Sequence, residues 1–164
     1  MAKTPQIILI DGPAGSGKTT LALELKAELE CQVVHLDDHY NGWDEALGAD
    51  LTATLVKIVT SFVEGKPSEV SIFNWHKMEF EGSRTISPGD TLIVEGVGSG
   101  QSAIRSFATK LYWLEATPEL GLARVLARDG AAFESRIKAW QKREAEHFAK
   151  ERTREYADFI ISTA

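Results

Sequence analysis

The chain carries a single cysteine, Cys31, in 164 residues, so no internal disulfide can form and stability must come from a packed core. It has no apolar run near the roughly 18 residues of a membrane helix, so no membrane partner is expected. It also lacks an excess of positive charge. With 18 Lys and Arg against 24 Asp and Glu, net −6, a broad attraction for nucleic acid or anionic membrane is not supported. No internal repeat, low-complexity tract or linker interrupts it. The opening Met1-Ala2-Lys3-Thr4-Pro5 leads into the apolar Ile7 to Ile10 without a signal-peptide core, so a cytoplasmic location is expected. At 43% hydrophobic content the length suits one domain over residues 1–164 and is too short for two.

What is present is concentrated in one stretch. Gly12, Pro13, Ala14, Gly15, Ser16, Gly17, Lys18 and Thr19 match the pattern GxxxxGK[ST] without interruption, directly after Ile7-Ile8-Leu9-Ile10. In such a loop the glycines let successive backbone N–H groups turn inward on phosphate oxygens. Lys18 adds a mobile positive charge, and Thr19, with Thr20 beside it, offers a hydroxyl to Mg²⁺. The expected ligand is a nucleoside triphosphate.

Five short apolar runs alternate with segments of helical period, the form of a parallel sheet covered by helices on both faces. The runs are Ile7 to Ile10, Val33 to Leu36, Leu92 to Val94, Leu111 to Leu114 and Phe159 to Ile161. Leu21, Leu25 and Leu29 predict a helix whose N-terminus faces the phosphate loop. Leu51 to Val63 predicts a second helix, ended by Gly65 and Pro67. A third follows Thr117-Pro118 toward Leu126, and a fourth carries Phe133, Ile137, Trp140, Glu144 and Phe148. Val70 to Phe73 reads as a short strand leading into an aromatic-bearing loop, of the kind that lines binding sites on α/β scaffolds.

Two carboxylates, Asp37 and Asp38, end the second apolar run, on the edge where open α/β sheets bind ligands. A carboxylate there can accept a hydroxyl proton or hold Mg²⁺. Glu95 ends the third run in the same way, and the two acids beside the loop suit metal and water organisation. Arg124 and Arg128 stand four apart, hence on one helical face, just before Asp129-Gly130. Phosphoryl transfer is stabilised mainly by positioned cations, so this pair suits a mobile lid near residues 128–136.

Taken together, the loop, Asp37-Asp38-His39-Tyr40, Phe73-Asn74-Trp75, Ile93-Val94-Glu95-Gly96-Val97, Arg124, Arg128-Asp129 and the closing Tyr156 to Ile161 resemble the uridine kinase family of P-loop small-molecule kinases. The resemblance implies an α/β P-loop NTPase fold with a five-stranded parallel sheet. It further implies that Asp37 is the base toward the acceptor hydroxyl and that Glu95 and Thr19 serve Mg²⁺. Tyr40 and the Phe73-Asn74-Trp75 element belong to the acceptor site by the same resemblance, and Arg124 and Arg128 to a lid over ATP. Three departures stand beside it. His39 replaces the usual Phe, Asn74 replaces the usual Asp, and the chain stops three residues after Ile161, leaving little to wall an adenine beyond the last strand. Asn still hydrogen-bonds a hydroxyl but carries no charge.

The expected activity is therefore an ATP- and Mg²⁺-dependent transfer of the γ-phosphoryl group to a hydroxyl of a small molecule, a nucleoside first. A sugar, vitamin precursor or nucleotide is the alternative acceptor. A nucleotide-binding switch is a second alternative, although no Asn-Lys-x-Asp guanine motif and no Leu-Ser-Gly-Gly-Gln signature occurs.

Overall fold

The computed structural model describes residues 4–163. Each of the five apolar runs forms a strand: β1 (Gln6–Asp11), β2 (Gln32–His35), β5 (Thr91–Glu95), β6 (Lys110–Glu115) and β7 (Phe159–Ser162). They make one parallel sheet in the order β2-β5-β1-β6-β7. Parallel pairing sends every strand's C-terminal end to the same edge, so Asp11, His35, Glu95 and Glu115 collect there.

Alternation along each strand builds two cores. Ile7, Leu9, Val34, Leu92, Val94 and Leu111 face one side, where α2 (Ala49–Val63) packs Leu51, Leu55, Ile58, Val59 and Phe62 against them. The short α3 (Ser102–Arg105) adds Ile104 to that side, and α5 (Glu134–Glu151) adds Trp140. Ile8, Ile10, Val33, Ile93 and Leu114 face the other side, closed by Ala22 and Leu21 of α1 (Lys18–Leu29). The leucine spacing of α1 predicts its helical state but not its buried face: Leu29 is 42% exposed, and only Lys18 and Ala22 are buried. This helix serves chiefly to present its first turn to the phosphate loop. The remaining elements are α4 (Pro118–Asp129), started by Thr117 accepting from Leu120 N–H at 3.2 Å, and the one-turn α6 (Thr153–Tyr156).

One region departs from expectation. In place of a short strand and a loop, β3 (Ser68–Asn74) and β4 (Glu79–Ile86) form an antiparallel hairpin separate from the main sheet. Strand β4 is exposed along nearly its whole length and rich in polar residues, so it carries no buried alternation from which a strand could be read. Arg84 Nη1 donates to Val33 O at 2.8 Å. Gln32 donates to Ser87 O at 2.8 Å and accepts from Ser87 N–H at 3.1 Å, so the hairpin is fixed to edge strand β2. No described helix is long and apolar enough to cross a membrane.

Candidate active site

The phosphate loop occupies residues 12–19 between β1 and α1. Gly15, at φ +76°, lies so close to α4 that a Cβ would stand 2.4 Å from Gly121 O, and at Gly12 a Cβ would stand 2.3 Å from Leu114 O. Backbone is thus packed on backbone, and only glycine fits. Gly17, in the left-handed region, precedes the first helical turn. The amides of Gly15, Gly17, Lys18 and Thr19 find no acceptor among the described residues and form a row of donors at the positive end of α1. Lys18 folds back along the loop, its Nζ donating to Pro13 O at 2.8 Å and lying 3.5 Å from the buried Ser16 Oγ.

Beside this loop a cavity of about 760 Å³ opens, lined by the loop, both strand-end acids and a set of aromatic rings. The pairing of β1 with β5 sets Ile10 opposite Glu95, so the buried Glu95 carboxylate meets the first turn of α1. Thr19 Oγ1 donates to Glu95 Oε1 at 3.1 Å, and His35 Nδ1 lies 2.6 Å from the same oxygen. That bond raises the His35 pKa above its ordinary value. Asp37 sits in a single 3₁₀ turn, Leu36–Asp38, after β2. It is exposed and lines the cavity. Desolvation by the surrounding protein raises its pKa, the Glu95 charge adds to this, and Lys18 and Arg128 pull the other way. Asp37, Glu95, Thr19, Lys18 and Arg128 therefore share one space.

The aromatic wall is Tyr40, Trp43, Trp75 and Trp140. Tyr40 is buried, donates to Val97 O at 2.6 Å and lies 5.6 Å from the Trp140 ring. Trp43 bridges Trp75 at 5.4 Å and Trp140 at 6.3 Å between centroids. Trp75 Nε1 donates to Asp37 O at 2.9 Å, which ties the hairpin to the turn holding the acid.

Two of the residues expected to contact substrate lie elsewhere. Asn74 Oδ1 accepts from the N–H groups of His76 and Lys77, each at 3.0 Å, so its side chain shapes the hairpin turn and does not line the cavity. Phe73 is buried behind Trp75, edge-on at 4.9 Å, and supports the wall without forming it. Gly12, Pro13 and Ser16 likewise shape the loop from behind the cavity surface, while Thr20 is on it.

The two arginines separate in role. Arg124 donates to Gly15 O at 3.1 Å, to Thr163 Oγ1 at 2.8 Å and to Thr163 O, so it joins the loop to the end of β7. Arg128 makes a two-pronged contact with its neighbour Asp129, at 2.9 Å for each bond, and stays largely exposed at the cavity rim. Residues 127–136 are exposed throughout and contain a 3₁₀ turn, Ala131–Phe133, between α4 and α5.

Four contributors escaped the sequence reading. Asp11, buried at the end of β1, accepts from Gly12, Gly98 and Gly100 N–H at 2.7, 3.2 and 2.8 Å, tying the loop to the turn after β5. Burial pushes its pKa up to about 6. Its only signal is an acid closing an otherwise apolar run. Glu144 is buried on α5 with both oxygens on Ala14 N–H, and burial pushes its pKa up to about 7. It shows in sequence as an acid within an apolar helical stripe. Trp43 and Trp140 reach the site from separate segments, and neither has a local pattern that marks it.

The sheet order, the GxxxxGK[ST] loop after β1 and the acids at its C-terminal edge define an α/β P-loop fold. Residues 8–149 match the model of a family described as an AAA domain, and the chain belongs to that family. No curated protein matches it. Among solved structures, the fold is similar to a protein titled a possible uridine kinase from Bacillus stearothermophilus, with TM-score 0.72, 19% identity, and coverage of 98% of this chain and 90% of that one. It is also similar to shikimate kinase from Acinetobacter baumannii, in complex with shikimate, with TM-score 0.58, 17% identity, and coverage of 99% and 86%. The likeness to uridine kinases is thus met at the level of fold.

Proposed function

We propose that this protein is an ATP- and Mg²⁺-dependent phosphotransferase that moves a γ-phosphoryl group to a hydroxyl of a small molecule bearing a planar ring, a nucleoside being the leading class. The observation that carries this reading is Asp37. Its carboxylate makes no hydrogen bond among the described residues and stands between a phosphate-binding loop and a wall of four aromatic rings in one cavity. A planar ring stacked on Trp43, Trp75 or Trp140 directs its hydroxyl toward Asp37 and the loop.

In that arrangement the loop amides and Lys18 hold the triphosphate, and Asp37 takes the hydroxyl proton as the oxygen attacks the γ-phosphorus and the bond to the β-phosphate oxygen breaks, releasing ADP. Arg128, released from Asp129, supplies positive charge to the transferring group. Among the described residues no three His, Cys, Asp or Glu side chains form a protein-only metal cage. Mg²⁺ is ordinarily held by one or two carboxylates together with substrate phosphates, and the Thr19 hydroxyl beside Glu95, with Asp37 across the cavity, offers such oxygens. When bound, Mg²⁺ neutralises phosphate charge. His35, on the same Glu95 oxygen as Thr19, holds that carboxylate in place.

A coupled ADP-release screen of nucleosides, sugars, vitamin precursors and nucleotides tests the proposal. ADP release that depends on one acceptor class is the expected result. Slow hydrolysis indifferent to every acceptor would instead mark a nucleotide switch.

A further inference from the structure

The mechanism above leaves the buried acid Glu144 unused. Glu144 lies on α5, far along the chain from the loop, yet both its carboxylate oxygens contact Ala14 N–H, at 3.0 and 3.2 Å, and only 3% of its surface is exposed. The amides of Gly15, Gly17, Lys18 and Thr19 are open, whereas the amide at the third loop position is already covered by the Glu144 carboxyl group. Lys18 marks this as the outer end of the phosphate track, because its Nζ sits on Pro13 O, next to Ala14, and this lysine serves the β- and γ-phosphates in such loops. A diphosphate can occupy the open amides without reaching Glu144. Glu144 ionises above about pH 7, and the terminal phosphate of a triphosphate then meets a carboxylate of like charge at the one loop donor that carboxylate holds.

We propose that Glu144 is a positioning residue that latches α5 to the phosphate loop through Ala14 N–H and is displaced by the terminal phosphate of a triphosphate. Helix α5 also carries Trp140, one turn before Glu144, and Ile137, a further turn back, and both line the cavity. Release of the latch thereby carries the state of the nucleotide to the aromatic wall of the acceptor site. The exposed segment 127–136 links α4 to α5 and includes the first residues of α5.

This inference rests on the nucleotide reading of the loop, and its test separates the two. Calorimetry, run above the value of about 7 to which burial raises Glu144, measures Mg-ADP and a Mg-bound non-hydrolysable ATP analogue on the wild type and on Glu144→Gln, which keeps an oxygen for Ala14 N–H and removes the charge. The triphosphate analogue should bind about tenfold more tightly to the variant, the worth of roughly one charge-assisted contact, while ADP affinity stays within about twofold. Amide NMR on the wild type gives an independent reading should the variant fail to fold: the Ala14 resonance and α5 should respond to the triphosphate and not to ADP. Equal effects on both nucleotides, or no effect on either, would overturn the latch and leave the nucleotide site standing. A wild type that binds neither nucleotide would overturn both.

Discussion

The two ends of the cavity are built in opposite ways. At the phosphate end a contiguous stretch supplies the donors, and glycines at 12, 15 and 121 let backbone pack directly on backbone. Asp11 and Arg124 then fasten that loop to the turn after β5 and to the end of β7. At the acceptor end, Tyr40, Trp43, Trp75 and Trp140 come from three separate parts of the chain and meet mainly ring against ring. A triphosphate needs many fixed donors that do not vary with what is being phosphorylated. An acceptor needs shape, which a few large side chains supply and which changes readily. The phosphate end should therefore answer to single substitutions with large losses of rate, and the acceptor end with modest, selective changes in affinity.

The largest expected effect lies where the two ends meet. Asp37→Asn preserves shape but removes the proton-accepting charge, so kcat should fall about 10²–10⁴-fold, the usual worth of a general base, with ATP affinity nearly unchanged. Steady-state kinetics on the accepted substrate, together with ATP calorimetry, measure both. A near-normal rate would move the base elsewhere and separate the two ends functionally.

Next in size is a pH effect confined to the phosphate end. Burial raises Glu144 from 4.5 to about 7, so the folded protein keeps a proton that the unfolded chain releases. Stability from this group is complete below about 4.5 and is lost as pH rises through about 7, a displacement on the order of 3 kcal/mol. Glu144→Gln carries no such proton. Its stability relative to wild type should therefore climb between pH 4.5 and 7 in denaturant titrations and level off above that range. A constant difference across the range would show that the acid at Ala14 is not held protonated by burial.

The same contrast explains what could be read in advance. The central strands β1, β5 and β6 were legible because such strands are buried on both faces and show as continuous apolar runs, and edge strand β7 showed the same kind of run although Phe159 and Ile160 are each 47% exposed. The loop was legible because its chemistry is contiguous. Hairpin strand β4 was not, since its residues are exposed and its stability comes from pairing with β3 and fixation to β2. Asn74 and Phe73 were placed on the substrate by analogy of position. The fold uses them in a turn and behind a ring, because the hairpin turns the strand away one residue before Trp75. Trp140 stood in a helical stripe that reads as core, and it is core on one side and cavity wall on the other.

At the acceptor end, Trp43→Ala removes the ring that joins Trp75 to Trp140 and should raise the acceptor KM about tenfold while leaving ATP affinity unchanged. Two edge-on aromatic contacts of about 0.5–1.5 kcal/mol each set that scale. Initial rates against acceptor concentration, at saturating ATP, measure it. A fall in kcat without a change in KM would mean that the ring orders the reacting groups and that the ends are less separate than their construction implies.

The smallest effect sharpens the comparison further. The loop carrying Trp43 is joined to α5 by Asp44, whose Oδ1 lies 2.9 Å from Arg143 Nη2, with side chains 80% and 40% exposed. Exposed pairs of this kind contribute about 0.2–1 kcal/mol and weaken in salt, since screening reaches within about 10 Å at 0.1 M. Asp44→Ala should thus change stability by less than about 1 kcal/mol at low ionic strength, and the difference should shrink toward zero as salt is added. If the acceptor wall is held by ring packing, acceptor KM in this variant stays within about twofold of wild type at every salt concentration. A large KM increase that added salt reproduces in the wild type would instead make the ion pair, and not the rings, the element that sets the wall against α5.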